Sequence, residues 1–404
     1  MSRVKNMAAA RLATIRISMQ DDRDFTLFII VGFLIGISSG IVNSVFNNFL
    51  NDIYHLSASD RGIVEIPREL PGLLIVFVLA ALSFLGDVKI ARIAMLSACL
   101  GLVGLGFLSP TFSLMIVFMM VFSLGQHLFM PISPSIGMNL SKPEEYGMRL
   151  AKLNAYNLIA TLIGFALVWI GFSFLQFDYR TAFALAAVFY LFAAVVLSLM
   201  KKSEPHHKKF KMVFRKQYTL YYILCIVNGA RKQIFLTFAP WVLIQCFHLS
   251  PPNFAVLGVV IAVISIVTRT VVGKAIDVKG ERFILSLEAV LLFVLCLGYA
   301  FAGDLFSSSV ALVITAICYI LDNSMSTVEM ARSTYLKKIV IDPADTTHTL
   351  AMGTSLDHIV SMSIPVFGGM LWVAAGYKYV FLFAAVIALL NFILSLKIRV
   401  KKVH

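Results

Sequence analysis

Asp87-Val88-Lys89-Ile90-Ala91-Arg92 and Asp277-Val278-Lys279-Gly280-Glu281-Arg282 share the pattern DVKxxR at an offset of 190 positions. Each copy follows one apolar stretch and precedes another, so the two occupy the same place in two successive series of apolar segments. Further matches keep that order. His55-Leu56-Ser57 returns as His248-Leu249-Ser250, and Pro143 ahead of Leu150-Ala151 returns as Pro343 ahead of Leu350-Ala351. A common order at nearly constant offsets implies two related halves in parallel, an internal duplication found in many transporters.

Composition agrees with that reading. The 404 residues are 59% hydrophobic and 14% charged, with a mean hydropathy of +0.88, which excludes a water-soluble globular chain. A transmembrane helix needs ~20 mostly apolar residues. Stretches of that length lie at 25–48, 63–85, 90–109, 112–139, 149–175 and 180–200 (spans 1 to 6), and at 218–246, 254–273, 282–302, 308–336, 347–374 and 378–397 (spans 7 to 12). The expected organisation is a basic N-terminus over 1–24, a six-helix bundle over 25–200, a linker over 201–217, a second bundle over 218–397 and a tail over 398–404. The linker carries Pro205 and seven Lys or Arg, and is too polar for hydrocarbon.

The net charge of +13 has a topological source. Of 34 basic residues, 26 fall in the N-terminus, the linker, the tail and the loops on their side; only Arg61, Arg180 and Lys378 fall in the opposite loops. Basic residues are retained on the cytoplasmic side, so both termini and the linker are expected there, in a cytoplasmic (inner) membrane. No nucleic-acid partner is needed to explain the charge. The N-terminus has no continuous apolar core or cleavage site and reads as retained. Five cysteines lie in apolar stretches without a CxxC pair, which argues against a disulfide framework or a metal site.

The DVKxxR loops resemble those between helices 2 and 3 and helices 8 and 9 of the major facilitator superfamily. Gly86, Asp87 and Arg92 supply the pattern in the first copy and Gly273, Asp277 and Arg282 in the second, which is the better match because Ser83 stands at the leading glycine of the first. Pro365-Val366-Phe367-Gly368-Gly369 in span 11 is similar to the family's PxxGG. The resemblance covers essentially the whole chain but assigns no subfamily, since the drug-antiporter motifs of spans 4 and 5 are absent. It implies an all-α polytopic fold with twelve transmembrane helices in two pseudo-symmetric six-helix bundles, working as a monomer without a cofactor.

Polar residues at bilayer depth are costly, about 2.5 to 3.5 kcal/mol for an ionised side chain, so clusters of them mark a wet cavity or mutual pairing. Span 10 carries Asp322, Ser326, Glu329 and Arg332 at i, i+4, i+7 and i+10, expected on one helical face. Span 7 carries Asn228, Arg231, Lys232 and Gln233; the two cations diverge by about 100°, so only one is expected in a cavity. Span 1 offers Asn43, Asn47 and Asn48, and span 4 offers Gln126 and His127. The resemblance places spans 1, 4, 7 and 10 around the central cavity, with Asn43, Asn47, Gln126, His127, Asn228, Arg231 and Lys232 facing substrate. Spans 5 and 11 hold matching polar stripes, Asn154, Asn157 and Thr161 against Thr354, Asp357 and Ser361.

Protonatable Asp322, Glu329 and Asp357 near cations make them candidates for proton coupling. Asp87, Arg92, Asp277 and Arg282 are candidate gating residues, an Asp near a helix N-terminus being favoured by the dipole and an Arg bridging to carboxylates or carbonyls. His358 is expected to be packed or paired. Glu65, Arg68 and Glu69 at the start of span 2 are expected to be largely solvated, and Glu288 and Arg269 to reach the interface. The leading reading is a secondary transporter working by alternating access, carrying a small anionic or zwitterionic organic solute with protons, its partners being substrate, protons and bilayer. A proton-driven exporter of amphipathic drugs or lipids and a non-transporting sensor are the alternatives. No Walker A, GxSxG or HExxH pattern points to an ATPase or an enzyme.

Overall fold

The structure is a computed structural model describing residues 2–141, 145–201, 215–342 and 345–399, with the side chains of 2–21, 146, 147 and 347 left aside. Most of the linker, the loop prolines Pro143 and Pro343, and the end of the tail lie outside the described residues. The helices are α1 (Ser2–Tyr54), α2 (Ala58–Ala81), α3 (Asp87–Phe107), α4 (Phe112–Asn139), α5 (Tyr146–Phe174), α6 (Tyr179–Ser198), α7 (Thr219–Gln245), α8 (Pro251–Lys279), α9 (Glu281–Leu305), α10 (Ser308–Ser324), α11 (Glu329–Ile339), α12 (Asp345–Ala375) and α13 (Tyr377–Ser395). No strand occurs among the described residues, and ten helical stretches are long and apolar enough to cross a membrane, α10 and α11 counting as one. The two long helices that fall short are α2 and α7, which bury Arg61, Glu65 and Glu69 and Asn228, Arg231 and Gln233 respectively.

The chain clusters into two compact units. One comprises Met1–Val42, Ile75–Gly171 and Leu175–Lys208; the other comprises Asn43–Leu74, Phe172–Phe174 and Lys209–His404. The second part of α1 and the first part of α2 group with α7–α13. Helix α1 also begins at Ser2 instead of near residue 25.

In the first unit α3 packs against α4 and α6. The small residues Ala94, Ala98 and Gly101 bring the backbones of α3 and α4 close together, and Phe122 meets Tyr190 edge-on at 6.1 Å. Such small-residue contacts drive association where lipid is as apolar as the helix surface. Ser38 Oγ donates to Ala186 O at 2.8 Å, and Asn157 Nδ2 to Gly32 O at 2.8 Å, tying α1 to α6 and α5. Asp178 caps α6, accepting from Thr181 Oγ1 at 2.7 Å and Thr181 N at 2.8 Å. Those bonds hold its carboxyl below the usual range, so the cap stabilises above the unfolded value near 3.9 and is lost as pH falls through the lowered one. Asp178→Ala is expected to cost about 1 kcal/mol, read as a drop in melting temperature at pH 7 that shrinks in acid.

In the second unit Phe235, Tyr299 and Phe381 form an apolar core between α7, α9 and α13, with Tyr299 and Phe381 stacked at 4.3 Å. The duplication appears as repeated turn geometry. His55 after α1 and His248 after α7 both adopt left-handed backbone, with φ 50 and φ 57. Each leads into a reciprocal N-cap: Ser57 N donates to Asp60 Oδ2 at 3.0 Å, and Ser250 N to Asn253 Oδ1 at 3.0 Å.

The DVKxxR copies diverge. Asp87 lies in the first turn of α3, favoured by the dipole, and accepts from Ser135 Oγ at 2.7 Å. In the second copy α8 runs on through Asp277 to Lys279 and breaks at Gly280, whose φ of 82 with ψ of 165 suits glycine alone. Glu281 therefore opens α9, buried and paired with Lys338 at 2.7 Å.

Candidate functional site

Span 10 is not one continuous helix. A 3-10 stretch over Met325–Val328 separates α10 from α11, so Asp322, Ser326, Glu329 and Arg332 do not share the single face expected of them. The Ser/Thr hydroxyls offer the reason: Ser324 Oγ donates to Ile320 O at 2.8 Å and Thr327 Oγ1 to Ser324 O at 3.4 Å, competing with the regular ladder. Asp322 is buried and paired with Arg231, while Glu329 and Ser326 are exposed. Arg332 pairs with Glu288 at 3.1 Å, both buried, so Glu288 does not reach the interface as expected.

Helix α7 distributes its polar residues by the 100° step between neighbours. Arg231 points to Asp322 of α10, with both side chains only 7% exposed, and its guanidinium lies 5.4 Å from the ring of Phe235. Lys232 points the other way, its Nζ 2.6 Å from Asp357 Oδ2 on α12, with side-chain exposures of 33% and 21%. The sequence reading expected only one of the two cations in a cavity; the structure sends them to different helices with different exposure. Gly229 permits the second pair, because a Cβ there would overlap Asp357 Oδ1. Asn228, one turn before Lys232, is buried with no partner for Oδ1 among the described residues.

In a third constellation expected to be solvated, Glu65 and Glu69 are buried and Arg68 is half-buried. Glu65, fully buried in α2, accepts from Arg61, from Arg68 Nη2 at 2.6 Å and from Gln233 Nε2 of α7 at 2.7 Å. Glu69 lies 2.9 Å from Arg68 and 3.0 Å from His358 Nδ1 of α12. Arg61 reaches Asn47 Oδ1 at 3.2 Å and lies 5.9 Å from the Trp241 ring. The backbones of α2 and α12 come close enough that Gly62 leaves no room for a Cβ against the Pro365 carbonyl. Arg61 and Arg68 of α2 itself supply the counter-charges, and α7 and α12 add Gln233 and His358, which no reading of α2 alone reveals.

The remaining candidates scatter. Asn43 is exposed, and Asn48 Nδ2 donates to Leu249 O at 2.7 Å. Gln126 is exposed and in hydrogen-bond contact with Tyr190, while His127 Nδ1 is 3.1 Å from Ser123 Oγ on its own helix. Arg92 Nη1 is 3.4 Å from Ser198 Oγ. Asp277 and Arg282 are exposed.

A family profile described as Major Facilitator Superfamily matches residues 28–340. Solved structures with the same fold include a variant of the nucleoside transporter NupG (TM-score 0.74, 12% identity, 93% of this chain and 99% of that one). A D-xylose-proton symporter (TM-score 0.69, 16%, 93% and 97%) and the peptide transporter POT in complex with sulfate (TM-score 0.70, 15%, 93% and 94%) are also similar. No curated protein matches the sequence. The chain belongs to the major facilitator superfamily, a family of secondary transporters. It is a multi-pass membrane protein with the all-α fold the sequence implied.

Proposed function

We propose that the chain carries a small anionic or zwitterionic organic solute across a cytoplasmic membrane by alternating access, coupled to protons, with both termini cytoplasmic. The half-exposed Lys232–Asp357 pair carries this reading. Arg231–Asp322 is nearly as desolvated as the apolar core beside it and serves as a structural pair, since parting it would strand two buried charges. Lys232 and Asp357 retain partial access, so a substrate's negative group can take Asp357's place on the ammonium. The freed carboxylate then takes up a proton or the cationic end of a zwitterion, which keeps each charge compensated. Asn228, on the face of Lys232, adds an acceptor for a substrate donor. The 26-to-3 basic asymmetry supports the orientation, and Asp87 on α3 with Glu281 on α9 are the gating carboxylates that the helix N-termini favour.

Uptake into proteoliposomes with an imposed inward proton gradient, screened over organic anions, amino acids and neutral sugars, tests the reading. Accumulation of an anion or zwitterion that collapses with a protonophore is expected, with Lys232→Ala raising the half-saturating concentration about tenfold or more, as for loss of a charge-assisted contact. Accumulation of neutral solutes alone, unaffected by Lys232→Ala, overturns it.

A further inference from the structure

Three consecutive residues of α7 reach three different helices: Arg231 to Asp322 of α10, Lys232 to Asp357 of α12 and Gln233 to Glu65 of α2. On α12 two consecutive residues divide in the same way, Asp357 to Lys232 and His358 to Glu69 of α2. A helix turns nearly as a rigid rod, so any rotation or shift that parts Lys232 from Asp357 displaces Gln233 or His358 by a comparable amount. Hydrogen bonds of 2.7 and 3.0 Å do not survive a displacement of about 1 Å.

We propose that the Glu65–Arg68–Glu69 cluster couples the state of the Lys232–Asp357 pair to the position of α2, with Gln233 and His358 as the positioning residues that transmit it. While the pair is closed, both hold α2; when the pair parts, both let go. Release strands no charge, because Glu65 keeps Arg61 and Arg68, and Glu69 keeps Arg68. The device therefore costs two hydrogen bonds to carboxylates instead of two bare ions. Pro67 and Pro71 lie within and just beyond the cluster and remove backbone donors from α2, which weakens the helix where it must bend. The inference rests on the proposed substrate site only for what parts the pair.

Labelling of a single cysteine tests this without any substrate. Ala58, the first residue of α2, is 3% exposed and its carbonyl abuts Gly369 of α12. In full-length protein lacking the five native cysteines and reconstituted in liposomes, Ala58→Cys is expected to react slowly with a membrane-impermeant maleimide. Gln233→Ala, His358→Leu and Lys232→Ala are each expected to raise the rate about tenfold, the effect of one lost hydrogen bond to a charged acceptor. His358→Gln, which keeps a donor, is expected to restore the slow rate. A contact that only stabilises the fold would lower the melting temperature and leave labelling unchanged. Parent-like labelling in folded Gln233→Ala and Lys232→Ala overturns the coupling. If Gln233→Ala does not fold, equal rates for His358→Leu and His358→Gln overturn it, and a tenfold difference supports it. Failure of the substrate-site reading would show in uptake, independently of these rates.

Discussion

Asp322→Ala is expected to destabilise the protein by about 3–5 kcal/mol, enough to lose most folded material, because it leaves the Arg231 guanidinium buried without its counter-ion. The pair is 7% exposed on both sides, Arg231 lies over Phe235, and the α7–α9–α13 core beside it is built of buried apolar side chains. The double variant Arg231→Met with Asp322→Leu removes both charges and refills much of the volume. It is expected to recover most of the stability, as replaced buried pairs commonly do. Melting temperature and monodispersity in detergent read both outcomes. A stable single variant, or a double variant no better than the single, would mean the pair is not a structural contact.

The second large effect lies in the first unit. Gly40 of α1 faces Gly164 of α5 so closely that a Cβ on Gly40 would overlap the Thr161 carbonyl, and one on Gly164 would overlap the Ile37 carbonyl. Backbone on both sides leaves nothing flexible to move aside. Gly40→Ala is expected to cost about 3 kcal/mol, the upper end for overpacking by one methyl, and Gly40→Val to prevent accumulation of folded protein. Gly32, two turns earlier on the same helix, has open space around it. Gly32→Ala should be neutral or stabilising by up to about 1 kcal/mol, since alanine is the better helix former. Equal losses at the two positions would contradict a specific contact at Gly40.

Much of this fold is readable in the chain because span length and apolar content are local properties. The duplicated His-Leu-Ser element likewise translates into a repeated turn without reference to distant residues. The divergence of Arg231 and Lys232 follows from helix geometry alone. Three features were not readable, the first for a tertiary reason and the other two for local ones. Glu65 and Glu69 near a span end look solvated until Gln233 of α7 and His358 of α12, both far off in sequence, close over them. The break at Met325–Val328 contains neither Pro nor Gly and depends on hydroxyls bonding back to carbonyls. In the second DVKxxR copy the turn falls at Gly280, so Glu281 takes the helix N-terminus that the motif would give to Asp277.

The central claim is that Asp357 carries the exchangeable proton opposite a substrate held by Lys232. It is tested most directly by comparing exchange with accumulation in Asp357→Asn, using the solute identified by the uptake screen. The account predicts solute-for-solute exchange within about twofold of the parent, together with no accumulation under an imposed proton gradient. An Asp357→Asn protein that folds and accumulates the solute like the parent would contradict it.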